Sequence, residues 1–170
     1  MKLGFGGGCH WCTEAVFQHL KGVTEVEQGW IASLAPQDEY SEAVIVHFDP
    51  AIIPLNVLVE IHLRTHQSGV NHSMRHKYRS AVYFFNEDDQ EALLHAIAEA
   101  ELGLEPVTQV LPFVSFKASR EEIQNYYAKN PSKPFCERFI DPKLELLRSA
   151  YKKHFKPVDL PVDELDNTDR

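Results

Sequence analysis

Gly6-Gly7-Gly8-Cys9-His10-Trp11-Cys12-Thr13-Glu14-Ala15 is the stretch on which the reading of this chain turns. Before it, Lys2 to Phe5 has the content of a short strand. After it, Ala15, Val16, Phe17 and Leu20 recur at helical spacing, and Gly22 is a natural stop. The glycines allow a tight turn between the two elements and leave room beside the thiol. Cys9 is thereby predicted at a helix start, where unpaired N–H groups and the helix dipole favour the thiolate. A lone cysteine in such a place is more often a small buried hydrophobe. Here the cleared space, a second thiol three residues on and the tryptophan between them argue for a nucleophile. Cys9 and Cys12 form a C-x-x-C pair, which reads as a redox couple or as half of a zinc site.

The chain has 170 residues, 44% of them apolar and 25% charged, the balance of one ordinary globular domain. A single catalytic domain is expected over residues 1–158. Asp159 to Arg170 carries five acids against one arginine and reads as an acidic, solvated tail. The net charge of −8 argues against a nucleic-acid partner. No apolar run approaches membrane-spanning length, and Met1-Lys2-Leu3 does not open a signal-peptide core. The expectation is a cytoplasmic monomer without a membrane partner, whose three cysteines are working thiols rather than a disulfide framework.

Further along, Val23 to Ile31 reads as a strand, and Ser41 to Phe48 is the clearest strand of the chain, apolar on both faces as an interior strand would be. Glu42 shares a face with Val44, Val46 and Phe48 by the two-residue period. A carboxyl there is either a strand end reaching water or a desolvated acid ready to donate a proton. A helix is predicted from about Pro54 to His66, with His62 and His66 on one face, followed by a polar loop to Lys77 and a strand from Ser80 to Phe85. A helix follows from Asn86 towards Gly103, then a strand from Val107 to Phe116 with Pro112 at an edge or bulge. Ser119-Arg120-Glu121-Glu122 has the form of a capping box. Cys136 falls in an irregular, proline-bounded segment, and Asp141-Pro142 starts the last helix. The order predicts an α+β fold: a ferredoxin-like two-layer sandwich with a mixed sheet, helices on one side and an extended C-terminal segment.

These residues resemble the peptide methionine sulfoxide reductases of the A type. Gly7-Gly8-Cys9-His10-Trp11 is similar to that family's Gly-Gly-Cys-Phe-Trp signature, and Glu14-Ala15 and Leu20-Lys21-Gly22-Val23 continue it. Ser41-Glu42-Ala43-Val44 with Phe48-Asp49-Pro50 resembles the segment carrying the family's acid. Tyr78-Arg79-Ser80-Ala81 is similar to its Tyr-Arg-Ser-Ala strand, and Tyr126-Tyr127-Ala128-Lys129-Asn130-Pro131 to the stretch before its resolving cysteine, here Cys136. The resemblance implies reduction of the S epimer of methionine sulfoxide, free or in proteins, without metal or organic cofactor. Cys9 would attack the sulfoxide sulfur, Glu42 would protonate its oxygen, Tyr78 would hydrogen-bond that oxygen and Trp11 would wall a pocket for the S-methyl group. The resulting sulfenic acid would pass through an intramolecular disulfide to thioredoxin or a similar dithiol.

Four departures stand out. His10 replaces the signature phenylalanine, making the expected methyl pocket more polar. Cys12 stands where most relatives have glycine, so that Cys12 and Cys136 both qualify as resolving or relay thiols. Tyr40 is the candidate for a second substrate-binding tyrosine. His72, Ser73 or His76 occupies the place of an aspartate before Tyr78. Two rival readings use the same residues: a thiol–disulfide oxidoreductase built on Cys9 and Cys12, and a zinc-binding module recruiting a pair such as His62 and His66. The first needs no acid on an apolar strand face. The second needs histidines far closer in sequence to the cysteines.

Overall fold

The computed structural model describes residues 1–156; the predicted acidic tail, 159–170, lies outside them. Six strands form one sheet in the order β5-β4-β1-β3-β2-β6: β1 (Lys2–Gly6), β2 (Val23–Ala32), β3 (Ser41–Phe48), β4 (Ala81–Phe84), β5 (Gln109–Pro112) and β6 (Ser115–Ala118). The β4–β5 pair is parallel and the other pairs are antiparallel, so the sheet is mixed. The helices are α1 (His10–Gln18), α2 (Leu55–Thr65), α3 (Asp89–Glu99), the single turn α4 (Tyr126–Lys129) and α5 (Asp141–Ala150).

Alternation along the strands decides what each face of the sheet meets. Leu3 and Phe5 of β1, Val44, Val46 and Phe48 of β3 and Val82 and Phe84 of β4 point to one side. There they join Val16, Phe17 and Leu20 of α1, Leu58 and Ile61 of α2, Leu93 of α3 and Leu144 and Leu147 of α5 in the main core. The intervening residues Ala43, Ile45, Ala81 and Tyr83, with Ile31 of β2, make a smaller cluster on the opposite face.

That second face is concave, and the reason is a chain-length constraint. The predicted strand Val107–Phe116 is in fact two strands, β5 and β6, at opposite edges of the sheet, joined through Phe113 and Val114 alone. Three residue steps reach about 11 Å at most, whereas five strand spacings in a flat sheet would need roughly 24 Å. The sheet therefore curls until its edges approach. Phe113 N donates to Phe84 O of β4 at 2.9 Å and Val114 N to Ala32 O of β2 at 3.2 Å, tying both sides of the curl through adjacent residues. Pro112, which has no N–H for a ladder, ends β5 on the free edge.

Two other expectations are corrected. Ser119 caps nothing: it is buried with an unpaired hydroxyl, and Glu121–Ile123 is a short 3-10 turn without a side-chain cap. The next turn, α4, begins after Asn125 in the left-handed region, and its first N–H groups are satisfied from a distance. Glu14 Oε2 accepts from Asn125 N at 3.0 Å and Glu14 Oε1 from Tyr126 N at 3.1 Å. Cys136 lies not in an irregular segment but in a π-helical turn, Cys136–Ile140, that runs directly into α5 and buries the thiol completely.

Gly4 lies in a tight part of the concave face. A Cβ there would lie 2.7 Å from Ile31 Cδ1 and 3.0 Å from Tyr83 Cβ. Gly4→Val should destabilise the protein by about 1–3 kcal/mol through overpacking, read as a lowered urea midpoint with an unchanged slope.

Candidate active site

The register of the sheet assembles the site. Ala43 of β3 and Ala81 of β4 both lie opposite Gly6, the last residue of β1. Both neighbours run antiparallel to β1, so their beginnings, Glu42 on one side and Tyr78–Ser80 on the other, flank the point where β1 hands over to α1. Cys9 is the N-cap of α1, and its carbonyl accepts from Cys12 N at 3.1 Å and Thr13 N at 3.2 Å.

The Cys9 thiol is half-buried and faces a cleft of about 560 Å³ whose lining includes Gly7, Gly8, Cys12, His66, Tyr78 and Lys143. Its pKa is held below the usual thiol value chiefly by a hydrogen bond from the Cys12 thiol, with further help from the N–H groups of Trp11 and Cys12; burial and the charge of Glu42 push the other way. The same hydrogen bond, with burial and the charge of Cys9, raises Cys12 far above the ordinary range. The pair thus divides its roles: Cys9 is the thiol that ionises first and Cys12 the one that keeps its proton.

Glu42 is buried on the strand face that the two-residue period predicts. Three groups meet it that spacing did not place: the His10 backbone N–H at 3.5 Å and His10 Nε2 at 3.3 Å, both beside Oε1, and Lys77 Nζ at 3.7 Å from Oε2. Tyr78 lines the cleft, with Lys77 Nζ 5.1 Å from the centre of its ring.

The expected apolar wall is arranged differently. Trp11 stacks on Tyr126 with ring centroids 4.0 Å apart and meets Phe135 edge-on at 5.4 Å, while Phe135, Phe139 and Met74 supply the apolar lining of the cleft. His10 does not line this cleft: its ring is buried against Trp30 and points at Glu42 and Gly29. Tyr40 is about half exposed, its hydroxyl 3.0 Å from Ser115 Oγ, and it does not line the cleft. His72 and Ser73 do line it, and the exposed His76 does not. The His62 and His66 rings lie 4.2 Å apart, tilted by 31°, but His66 Nδ1 lies 2.5 Å from His62 O and its Nε2 2.8 Å from Ser80 Oγ. Burial lowers His66 to about 4, so it is neutral. Among the described residues no three His, Cys, Asp or Glu side chains gather to hold a metal ion.

Two basic residues were not legible as part of the site. Arg75 donates through Nη1 to Gly7 O and to Tyr78 O, both at 2.9 Å, and so ties the glycine turn to the loop that carries Tyr78. Lys143 of α5 donates to the Thr65 carbonyl and lines the cleft, where its charge acts on both Cys12 and Cys9. Neither belongs to a motif; a cationic side chain in a loop or on a helix signals a solvated face until the fold turns it inward.

A helix-start thiol whose pKa is lowered by a second thiol beside it, with a buried carboxyl nearby, defines a class: proteins that do chemistry at a reactive cysteine. The comparisons narrow it. The family model described as peptide methionine sulfoxide reductase matches residues 1–155. A Psychrobacter peptide methionine sulfoxide reductase MsrA is 34% identical over 88% of this chain and 95% of its own length, and one from Thermus thermophilus is 32% identical over 89% and 95%. This chain belongs to the peptide methionine sulfoxide reductase family. Among solved structures, reduced Mxr1 from Saccharomyces cerevisiae shares the fold at 22% identity and a TM-score of 0.69, over 80% of this chain and 88% of that one. Mxr1 in complex with Trx2 does so at 20% identity and a TM-score of 0.58, over 74% and 84%.

The division of roles between Cys9 and Cys12 has a direct readout. Cys12→Ala removes the S–H donor and should move the pH midpoint of Cys9 alkylation upward. Cys12→Ser, which still offers an O–H, should move it less. Iodoacetamide rates across pH, with the labelled peptide identified by mass spectrometry, measure both.

Proposed function

We infer that this chain carries out its family's reaction, reducing methionine sulfoxide to methionine, with Cys9 as nucleophile and the S epimer as substrate. The observation that carries this reading is the Cys9 thiol at the N-cap of α1, facing an open cleft and accepting hydrogen bonds that stabilise its ionised form. The thiolate attacks the sulfoxide sulfur, Tyr78 donates a hydrogen bond to the oxygen, and Glu42 supplies the proton. The oxygen passes to sulfur of Cys9, giving methionine and a cysteine sulfenic acid. Phe135, Phe139 and Met74 form the apolar side of the cleft against which the S-methyl group packs. The surrounding frame, β1-α1-β2-β3-α2-β4, is read as the ferredoxin-like split βαβ unit of a single catalytic domain.

Resolution starts at Cys12. Its high pKa in the resting state comes first from donating to the Cys9 thiolate. Once Cys9 is a sulfenic acid that thiolate is gone, and Lys143, whose charge favours an ionised Cys12, lets it attack. Water leaves as the Cys9–Cys12 disulfide forms. Cys136 is fully buried and acts after Cys12, whose ionisation feels its charge, passing the disulfide outward. A thioredoxin-class dithiol closes the cycle, a partner supported by the yeast relative's complex with Trx2. A monomer in a reducing cytoplasm fits this use of free thiols.

Cys9→Ser should abolish single-turnover reduction of both free and peptide methionine sulfoxide with the fold retained. Glu42→Gln should slow it by about 10²–10⁴, the usual range for a lost general acid, less at lower pH where solvent can protonate the oxygen. Mass spectrometry after one turnover without reductant should show Cys9–Cys12 or, after relay, Cys12–Cys136. A Cys12→Ser variant that turns over normally through Cys9–Cys136 would refute the order.

A further inference from the structure

His10 is buried at the first turn of α1, and both of its ring nitrogens have partners. Nδ1 lies 2.8 Å from the Gly29 carbonyl of β2. A carbonyl oxygen only accepts, so Nδ1 carries a proton and donates it there. In a neutral ring this leaves Nε2 as a bare lone pair, 3.3 Å from Glu42 Oε1. If Glu42 were an ionised carboxylate beside that neutral ring, two acceptors would face each other with nothing between them. The His10 and Glu42 side chains are only 4% and 8% exposed, so water cannot relieve the contact freely. One proton between Nε2 and Oε1 removes the conflict, written either as a carboxylic acid donating to imidazole or as an imidazolium donating to carboxylate.

We propose that His10 is a positioning residue for the reaction's acid: with Nδ1 committed to Gly29, His10 Nε2 and Glu42 Oε1 hold one shared proton, the one delivered to the sulfoxide oxygen. This rests on the reading of Glu42 as proton donor. The two proton placements have the same charge, so the proton belongs to the pair, and removing the Nε2 acceptor removes one of its two seats. The groups facing the pair come from the loop before β4, the start of α1 and β2. On the loop before β4, Lys77 Nζ lies 3.7 Å from Glu42 Oε2 and favours release. At the N-cap of α1, the charge of Cys9 acts on Glu42 and favours retention. On β2, the Trp30 ring meets His10 edge-on at 5.1 Å, and the Gly29 carbonyl holds Nδ1. On β3 stands Glu42 itself. In the chemical step the sulfoxide sulfur gains two electrons, Cys9 sulfur loses two, and the oxygen moves to Cys9 carrying the pair's proton as the sulfenic hydroxyl. The pair is left one proton short and recovers it from solvent. An acid limb of activity then belongs to Cys9, which must be ionised, and an alkaline limb to His10 and Glu42, which must hold their proton.

The test joins imidazole 15N NMR of the intact protein to single-turnover reduction of methionine sulfoxide across pH. Wild-type His10 should show a protonated Nδ1 at every pH, with the Nε2 signal moving in the same step as the alkaline loss of rate. His10→Phe should pull that limb down by about one pH unit, a loss of about tenfold above it that shrinks to under about threefold near pH 6, with the far-ultraviolet circular dichroism unchanged. A neutral His10 protonated on Nε2, or an alkaline limb that stays or moves up in His10→Phe, overturns the proposal; the NMR result does so even if the variant does not fold. Glu42→Gln separates the two levels. Wild-type rates in it would remove Glu42 as the acid altogether. A slow Glu42→Gln beside an unmoved limb in His10→Phe would remove only the shared proton.

Discussion

Strand β1 is hydrogen-bonded on both edges, to β3 and to β4, and the chain leaves it through Gly6, Gly7 and Gly8 into the first turn of α1. This constraint holds the rest of the molecule in place. A strand fixed on both sides cannot shift register without turning Leu3 and Phe5 out of the helix-side core and forcing Gly4 and Gly6 into it. The end of β1 is therefore a fixed point, and Cys9 inherits its position from it. The same pairing brings the starts of β3 and β4 to that point, so Glu42 and Tyr78, 33 and 69 positions from Cys9, come close to it, because they stand just before the partners of one glycine.

Glycine serves close approach at this junction. A Cβ on Gly7 would overlap the imidazole of His66, which is held in place by His62 O and Ser80 Oγ. The histidine that the sequence offered as half of a metal pair instead packs beneath the glycine turn, neutral and fully engaged. Arg75 closes the same turn from above through the Gly7 carbonyl. The thiolate thus sits on a backbone braced from two sides, and its charge is met by N–H groups and an S–H rather than by a nearby cation alone. Such dipoles are already oriented before the reaction begins, so little reorganisation is needed as charge moves.

The curl of the sheet has a consequence on the helix side as well. The chain returns through β6 alongside β2 and then passes Gln124 and Asn125 towards α1, where Glu14 receives the first N–H groups of α4. That contact sets Tyr126 flat on Trp11 and leads the chain to Phe135 and the buried Cys136. A carboxylate in the second turn of α1 thereby places the aromatic wall and the third thiol. Its burial is offset by the two backbone donors it caps, the condition for a carboxyl to sit inside a protein.

Local sequence determined the pieces whose physics is local. Period-two alternation made β3 and put Glu42 on its helix-side face; helical spacing after the glycines made α1 and put Cys9 at its start; the His62 and His66 rings do lie 4.2 Å apart, although α2 ends at Thr65 and His66 is its extended C-cap rather than a residue of its face. The motif order also resembled the right family. Tertiary structure decided whatever depended on what stands opposite. Val107 to Phe116 carries continuous strand character, but only a curled sheet can split it between two edges, and curvature is a property of the closed chain. Cys136 follows prolines that signal irregularity, yet packing against α1 and α5 makes the segment a π-helical turn that buries Cys136 and Ile140. His10 had the same neighbours in sequence whether it faced a pocket or a carboxyl. Its orientation came from the Gly29 carbonyl and Glu42, two partners from different strands that meet only once β2 and β3 are paired.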